Sequence, residues 1–363
     1  MKKKILFVFG TRPEAIKMCP IIEELKKNMQ FEWKVCVTGQ HKEMLRQVLK
    51  IFDVEPDYDL MIMKENQNLN SITRLILERI ESILLKERPD IVLVHGDTTT
   101  TFSASLACFY QNIPVGHVEA GLRTYNLHSP FPEEFNRQTV GIIAKYHFAP
   151  TQRAKDNLLH EGKDNVFVTG NTAIDALNYT ISDTYYNENL EWAKDSKLIL
   201  VTAHRRENWN CMKEMFEAIK LVIDEFEDVK VIFPMHMNPN IRIVANNVLG
   251  KLSRVRLIEP LNVIDFHNYM KRCYLIITDS GGIQEEAPAM GIPVLVMRDT
   301  TERPEGVEAG TLKLVGTKKV DIYSNVKKLL TDNEVYKEMS EAKNPYGDGN
   351  ASKRIVELLK KIL

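Results

Sequence analysis

The sequence predicts an α/β protein made of two successive doubly wound parallel sheets, and three features lead there. Short apolar runs bounded by Gly or Pro recur along the chain, as fully buried parallel strands do. The segments between them carry apolar residues at a period near 3.6, the spacing of one helix face. The alternation then breaks and restarts. From Tyr179 to Lys197, Asn, Asp, Glu and Lys displace the aliphatics, and a second series of strands and helices follows this candidate connection. A length of 363 residues accommodates two domains of ordinary size, each with its own core.

In chain order, Ile5 to Phe9 reads as a buried strand, Gly10 to Glu14 as a turn, and Ala15 to Asn28 as a helix on which Ile16, Ile21, Ile22 and Leu25 share a face. Strands follow at Val35 to Thr38, Ile91 to Val94, Val115 to Val118, His147 to Ala149 and Val166 to Val168, with helical patterns such as Leu69 to Lys86 and Phe102 to Gln111 between them. The second series has strands at Leu198 to Thr202, Val229 to Phe233, Val255 to Ile258, Leu275 to Thr278 and Val294 to Met297. Its helices read as Met212 to Phe226, Ile241 to Leu249, Val263 to Lys271 and Ile283 to Met290, the last short or kinked because Pro288 falls inside it. Ser352 to Leu363 is an amphipathic helix with Ile355, Leu358, Leu359 and Ile362 in one stripe, which must dock on something.

With 48 Lys and Arg against 49 Asp and Glu, the net charge gives no reason to expect nucleic acid or an anionic membrane as the main partner, so any anionic ligand must be held locally. Five scattered cysteines without a Cys-x-x-Cys pair suit thiols in a reducing, cytoplasmic compartment. The apolar run after Met1-Lys2-Lys3-Lys4 stops at Gly10, too soon for the hydrophobic part of a signal peptide, and no later run approaches a membrane span. The nine histidines show no His-x-x-x-His or His-x-His spacing, so no metal is expected. Gly10-Thr11-Arg12-Pro13-Glu14 lacks the Gly-x-Gly-x-x-Gly that a dinucleotide pyrophosphate needs, so neither is a nicotinamide cofactor.

Asp97 and Glu119 fall just beyond two of the predicted strands, and Glu133 opens a helix after Pro132. Each has a plain structural reading: a helix cap, a polar residue at a strand end, an acid favoured by the helix dipole. Three acids on successive ligand-side segments of one sheet, interleaved with His95, His117, Arg123 and Arg137, suit a site where carboxylates perturb one another and work as acid and base. Arg12 and Lys17, after the first strand, serve equally as helix-start residues or as cations facing a ligand cleft.

The second half offers Asp279-Ser280-Gly281-Gly282-Ile283-Gln284-Glu285-Glu286 directly after a strand. There Ser280 is placed to cap a helix, Gly281 and Gly282 let an anion approach the backbone, and Glu286 stands one turn on, where an acid reaches a ribose hydroxyl. His204, Arg205 and Arg206 sit together on another strand-end loop, which suits a diphosphate. His236 repeats the placement on the next strand, and Arg298 to Glu305 completes the set of charged loops.

Taken together, Gly10 to Ala15, His95 to Arg137, Gly170-Asn171-Thr172-Ala173-Ile174-Asp175, His204 to Asn208, Asp279 to Pro288, Arg298 to Glu305 and Asn344-Pro345-Tyr346-Gly347-Asp348-Gly349 closely resemble the bacterial non-hydrolysing UDP-N-acetylglucosamine 2-epimerases. The resemblance runs essentially end to end. It implies two Rossmann-like domains facing a central cleft, as in GT-B glycosyltransferases, with the last helix crossing back to the first domain. The expected division is residues 1–170 plus 351–363, bearing the carboxylates, and 171–350, binding UDP.

The resemblance also implies interconversion of UDP-GlcNAc and UDP-ManNAc without cofactor, usually in a homodimer, feeding surface polysaccharide synthesis. Catalytic roles then fall on Asp97, Glu119, Glu133 and His204. Contacts to the UDP-sugar fall on Arg12, Lys17, Arg137, His236, Phe266, Ser280, Gly281, Gly282, Glu286 and Arg303. Some members bind a second UDP-GlcNAc as activator. The matching positions include Gln40, Glu133, Arg205 and His236, whereas Glu43 and Asn66 stand where those members carry Gln and Arg.

The sugar C2–H is only weakly acidic. Departure of UDP leaves an oxocarbenium-like C1 that acidifies it, giving 2-acetamidoglucal and bound UDP, and re-addition with protonation from the other face inverts C2. A glycosyltransferase using a UDP-sugar, a hydrolysing epimerase releasing ManNAc and UDP, and a non-catalytic UDP-sugar sensor are the alternatives.

Overall fold

The computed structural model describes residues 2–39, 42–63 and 67–363, with backbone only at 42–44. The chain divides into unit 1, Met1–Tyr179 with Tyr346–Leu363, and unit 2, Thr180–Pro345.

Unit 1 runs β1 (Lys3–Phe9), α1 (Arg12–Lys26), β2 (Phe31–Val37), α2 (Lys42–Ile51), β3 (Tyr58–Asp59), α3 (Leu69–Glu87), β4 (Ile91–His95), α4 (Thr99–Tyr110), β5 (Val115–Val118), α5 (Glu133–Ile143), β6 (Tyr146–Ala149), α6 (Gln152–His160), β7 (Val166–Val168) and α7 (Thr172–Thr180). The strands form one sheet in the order β3-β2-β1-β4-β5-β6-β7, with every described pairing parallel. The order reverses between β1 and β4, the point where open α/β sheets bind ligands. Both turns beyond that point are tied to one side chain. Glu14, buried in α1, accepts the N–H groups of Gly10 and Thr11 and the Thr98 hydroxyl, while Thr11 returns the cap to the Glu14 N–H.

Unit 2 runs α8 (Glu188–Ala193), β8 (Lys197–Thr202), α9 (Met212–Glu225), β9 (Val229–Pro234), α10 (Pro239–Leu249), β10 (Val255–Ile258), α11 (Val263–Arg272), β11 (Leu275–Thr278), α12 (Ile283–Glu286), β12 (Val294–Val296), α13 (Pro304–Glu308), β13 (Leu312–Leu314), α14 (Lys319–Thr331) and α15 (Asn333–Glu341). Its parallel sheet has the order β10-β9-β8-β11-β12-β13, reversing between β8 and β11. Both faces are covered. Ile199 and Val201 pack with Phe216 and Ile219 on one side, while Leu198 and Leu200 pack with Tyr269 and Met270 on the other.

The final helix α16 (Ala351–Ile362) belongs to unit 1 and packs against α1 through the stripe that includes Ile355 and Leu359. Its N-cap Asn350 makes no side-chain cap. Asp175 of α7 does so in its place, accepting the N–H groups of Ala351 and Ser352, and Asn171 donates its N–H to the Tyr346 carbonyl. These bonds explain why the division differs from the expected one. It falls after Tyr179 and returns at Tyr346, because α7 and residues 346–350 are held in unit 1. The stretch expected as a connector likewise contributes α8, whose Leu190 and Ala193 enter the core of unit 2. Among the described residues no helix is long and apolar enough to cross a membrane.

Candidate active site

In unit 1, Asp97 lies two residues beyond β4 and Glu119 directly after β5, at the ligand edge of the sheet. Asp97 is not the helix cap. Thr98 takes that role, accepting the Thr101 N–H, and leaves the Asp97 carboxylate to Arg137, whose Nη2 donates to Oδ2 at 2.7 Å. Burial pushes the Asp97 carboxyl up; Arg137 pulls it down, Glu119 and Glu133 push it up again, and the net shift is upward.

Glu119 faces the opposite balance. Burial pushes it up, but Lys17 and His95 prevail and hold the carboxyl well below the usual range. Lys17 is ion-paired with it, Asn171 donates an amide N–H at 3.1 Å, and His95 Nε2 lies 3.7 Å away. Glu119 also adopts φ 61°, a left-handed conformation that costs an L-residue of order 1–3 kcal/mol and persists where the surroundings dictate it. Glu133 opens α5, half-buried and near enough to raise Asp97. Its neighbour Glu134 is structural, wholly buried and bonded to the Thr124 and Tyr125 N–H groups.

In unit 2 the loop after β8 is fastened to the loop after β11 by Asp279. This fully buried carboxylate accepts the N–H groups of His204 and Arg205 and the Asn208 side-chain amide, and its Oδ1 lies 3.2 Å from His204 Nδ1. Burial pushes Asp279 up, yet the His204 contacts and the backbone donors hold it below its ordinary value. His204 itself is exposed, with its ring stacked on His236 at 6.1 Å. Arg303 bonds Glu285 at 2.6 Å and lies across Gly281, where an added Cβ would stand 2.7 Å from its Nη1 and make the guanidinium shift. Glu286 lies 3.6 Å from His267 Nε2, and Phe266, on α11, packs half-buried against the core.

One expectation is corrected here. Ser280 caps no helix: its N–H donates to Thr278 Oγ1 and its carbonyl accepts from Gln284. The helix beyond it begins at Ile283 and, with Pro288 ahead, passes into a 3-10 turn at Ala287–Met290, so a strong helix dipole is not available. Lys17, expected against the nucleotide, is paired with Glu119. Arg12 is half-buried at the start of α1, and no ion pair is described for it. Of the positions matched to an activator site, Gln40, Asn66 and the side chain of Glu43 lie outside the described residues. Arg205 bonds the Asp279 carbonyl and approaches Glu302. Asn136, Asn171 and Asp279 carry no sign of a site role in the sequence, and only their folded contacts with Asp97, Glu119 and His204 reveal one.

Among the described residues no group of acids, histidines and cysteines could hold a metal ion. Unit 1 is a doubly wound sheet with carboxylates beside its switch point and unit 2 another with a histidine–arginine loop beside its own, and such strand-end groups are those of α/β enzymes that move protons and hold anions. The profile of the UDP-N-acetylglucosamine 2-epimerase family matches residues 23–360, and the chain belongs to that family. A UDP-N-acetylglucosamine 2-epimerase from Bacillus subtilis (strain 168) is 60% identical over 363 residues, spanning 99% of this chain and 96% of that protein. A crystal structure of a UDP-N-acetylglucosamine 2-epimerase superposes with a TM-score of 0.93 at 59% identity, covering 99% of this chain and 96% of the other. The Neisseria meningitidis UDP-GlcNAc 2-epimerase bound to UDP-GlcNAc matches with a TM-score of 0.89 at 50% identity, covering 99% and 100%.

Proposed function

We propose that the protein interconverts UDP-GlcNAc and UDP-ManNAc by eliminating and re-adding UDP. The observation that carries this reading is the contrast within one carboxylate cluster: Glu119 held ionised by Lys17, Asp97 pushed toward its protonated form. A carboxylate anchored on an ammonium is a weak base but a good counter-charge, so Glu119 stabilises the positive charge developing at C1. Asp97 and Glu133 then exchange the C2 proton. One removes it as the C1–O bond breaks toward the β-phosphate, and the C–H electrons form the C1=C2 bond of 2-acetamidoglucal. The other protonates C2 from the opposite face as the phosphate oxygen returns to C1. His204, Arg303 and the Gly281-Gly282 backbone retain the diphosphate, with Glu286 toward the ribose.

Incubation with UDP-GlcNAc in D₂O, followed by proton NMR, tests the reading. The expected products are UDP-GlcNAc and UDP-ManNAc, both carrying deuterium at C2, with no acceptor present. No exchange would point to glycosyl transfer or mere sensing, and free ManNAc with UDP to hydrolysis.

The working form is a homodimer in the cytoplasm. Phe109 and Tyr110 of α4, Ile142 of α5 and Leu85 of α3 are 60%, 67%, 73% and 52% exposed on three adjoining helices, an apolar area suited to a two-fold contact. All five cysteines are free thiols, as a reducing compartment keeps them. Light scattering at working concentration is expected to give twice the chain mass, and a monomer would dismiss the dimer.

A further inference from the structure

Asp97 sits in a loop, yet its own backbone is held on both sides. The carbonyl of Gly96, which belongs to the peptide group preceding Asp97, lies 2.7 Å from His117 Nε2. The carbonyl of Asp97, in the peptide group that follows, accepts from Asn136 Nδ2 at 2.8 Å. A carbonyl only accepts, so His117 must carry its proton on Nε2, which leaves Nδ1 bare; that atom is buried and has no hydrogen-bond partner among the described residues. His117 is 1% and Asn136 3% exposed. A buried imidazole with an unsatisfied nitrogen costs stability, and the bond to the Gly96 carbonyl is the polar contact this side chain makes among the described residues.

We propose that His117 and Asn136 are positioning residues that clamp the two peptide groups flanking Asp97 and so aim its carboxylate at the sugar. The two side chains come from different elements, β5 and α5, and neither contacts the Asp97 carboxylate among the described bonds, which is left to Arg137. Gly96 allows the clamp: it adopts φ 65°, and its N–H donates to the Val118 carbonyl at 2.9 Å, so this peptide segment is pinned along β5 as well. The clamp does not titrate in the working range. Burial lowers His117 to about 3, with the charges of His147, Arg123 and His95 adding to the effect and the Gly96 bond opposing it, so the imidazole stays a neutral donor. A single hydrogen bond would let the Asp97 peptide rotate about its neighbour, whereas two fix both adjoining planes. That matters because a misplacement of about 1 Å at a reacting group costs of order 10²-fold in rate.

The proposal rests on the epimerase reading, and the test separates the two. Turnover of UDP-GlcNAc and C2 deuteration are measured for wild type, His117→Gln, His117→Asn and Asn136→Leu. Glutamine places its amide nitrogen where Nε2 stood, whereas asparagine falls short of Gly96. His117→Asn and Asn136→Leu are expected to lose about 10²-fold in kcat with KM unchanged, while His117→Gln keeps most of the rate. In an Asp97→Asn background, His117→Asn is expected to cost little more, because it acts through the missing carboxylate. Equal rates for Gln and Asn at 117, an undiminished loss in that background, or a loss confined to KM would overturn the clamp. If His117→Asn does not stay folded, Asn136→Leu must show the same split of kcat from KM, and its failure to do so overturns the clamp equally. Absence of exchange in the wild type would instead remove the epimerase reading.

Discussion

Asp97→Asn is expected to lower turnover by about 10²–10⁴-fold while UDP still binds, the range that a positioned acid–base group contributes. The substitution is nearly isosteric. The asparagine carbonyl keeps an acceptor for Arg137 Nη2, so the loop stays in place and the change falls on proton transfer. Burial pushes the Asp97 carboxyl up, and the charges of Glu119 and Glu133 add to this against Arg137, so it takes up a proton more readily than an ordinary aspartate, whereas an amide cannot titrate at all. UDP affinity is expected to persist because the diphosphate is assigned to residues of unit 2. Steady-state rates with calorimetric titration of UDP check both halves. C2 deuteration should fall in parallel for the epimer whose proton Asp97 removes, whereas Glu133 still exchanges the C2 proton of the other epimer from its own face. Near wild-type turnover would remove Asp97 from the mechanism, and lost UDP binding would show that the variant disturbs more than one proton.

Much of the fold is legible in the sequence because buried parallel strands announce themselves as short apolar runs; Ile91 to Val94 and Val115 to Val118 need no tertiary information. β3, only two residues long at the sheet edge, carries too little pattern to be found. The placement of Asp97 and Glu119 at strand ends is a local property and also legible. Their partners are not. Lys17 and Glu119 are 102 residues apart, and Asn171 reaches the same carboxylate across 52, so only the folded sheet reveals which acid is held ionised. Asp279 reads as the polar start of a glycine turn, whereas its work is to anchor a loop 75 residues earlier. The boundary between units departs from the expected one for a similar reason: Asp175 looks like an ordinary helix acid until α16 supplies the N–H groups it caps. Local chemistry thus survives in a sequence, while the assignment of a role to each acid depends on neighbours that the topology brings.

Lys17 tests this dependence on neighbours, because its two assignments predict different kinetics. As a nucleotide contact, its loss would raise KM and leave kcat unchanged. As the counter-ion of Glu119, its replacement in Lys17→Met keeps the alkyl stem but removes the charge that opposes burial. The side chains are only 15% and 12% exposed, so the freed carboxylate stays in poor solvent and its pKa rises. A catalytic anion with a raised pKa is neutralised at higher pH, so the acid-side limb of the kcat profile is expected to move upward and activity to fall first at the acid end. Asn171 and His95 retain part of the stabilisation, so the limb moves without activity vanishing at alkaline pH. Breaking a buried pair by removing one partner also costs of order 3–5 kcal/mol, which thermal melting should register as a lower Tm that worsens as the pH rises and Glu119 ionises unpaired. A limb that stays at the wild-type pH, with KM alone increased, would return Lys17 to the nucleotide and leave Glu119 held by Asn171 and His95.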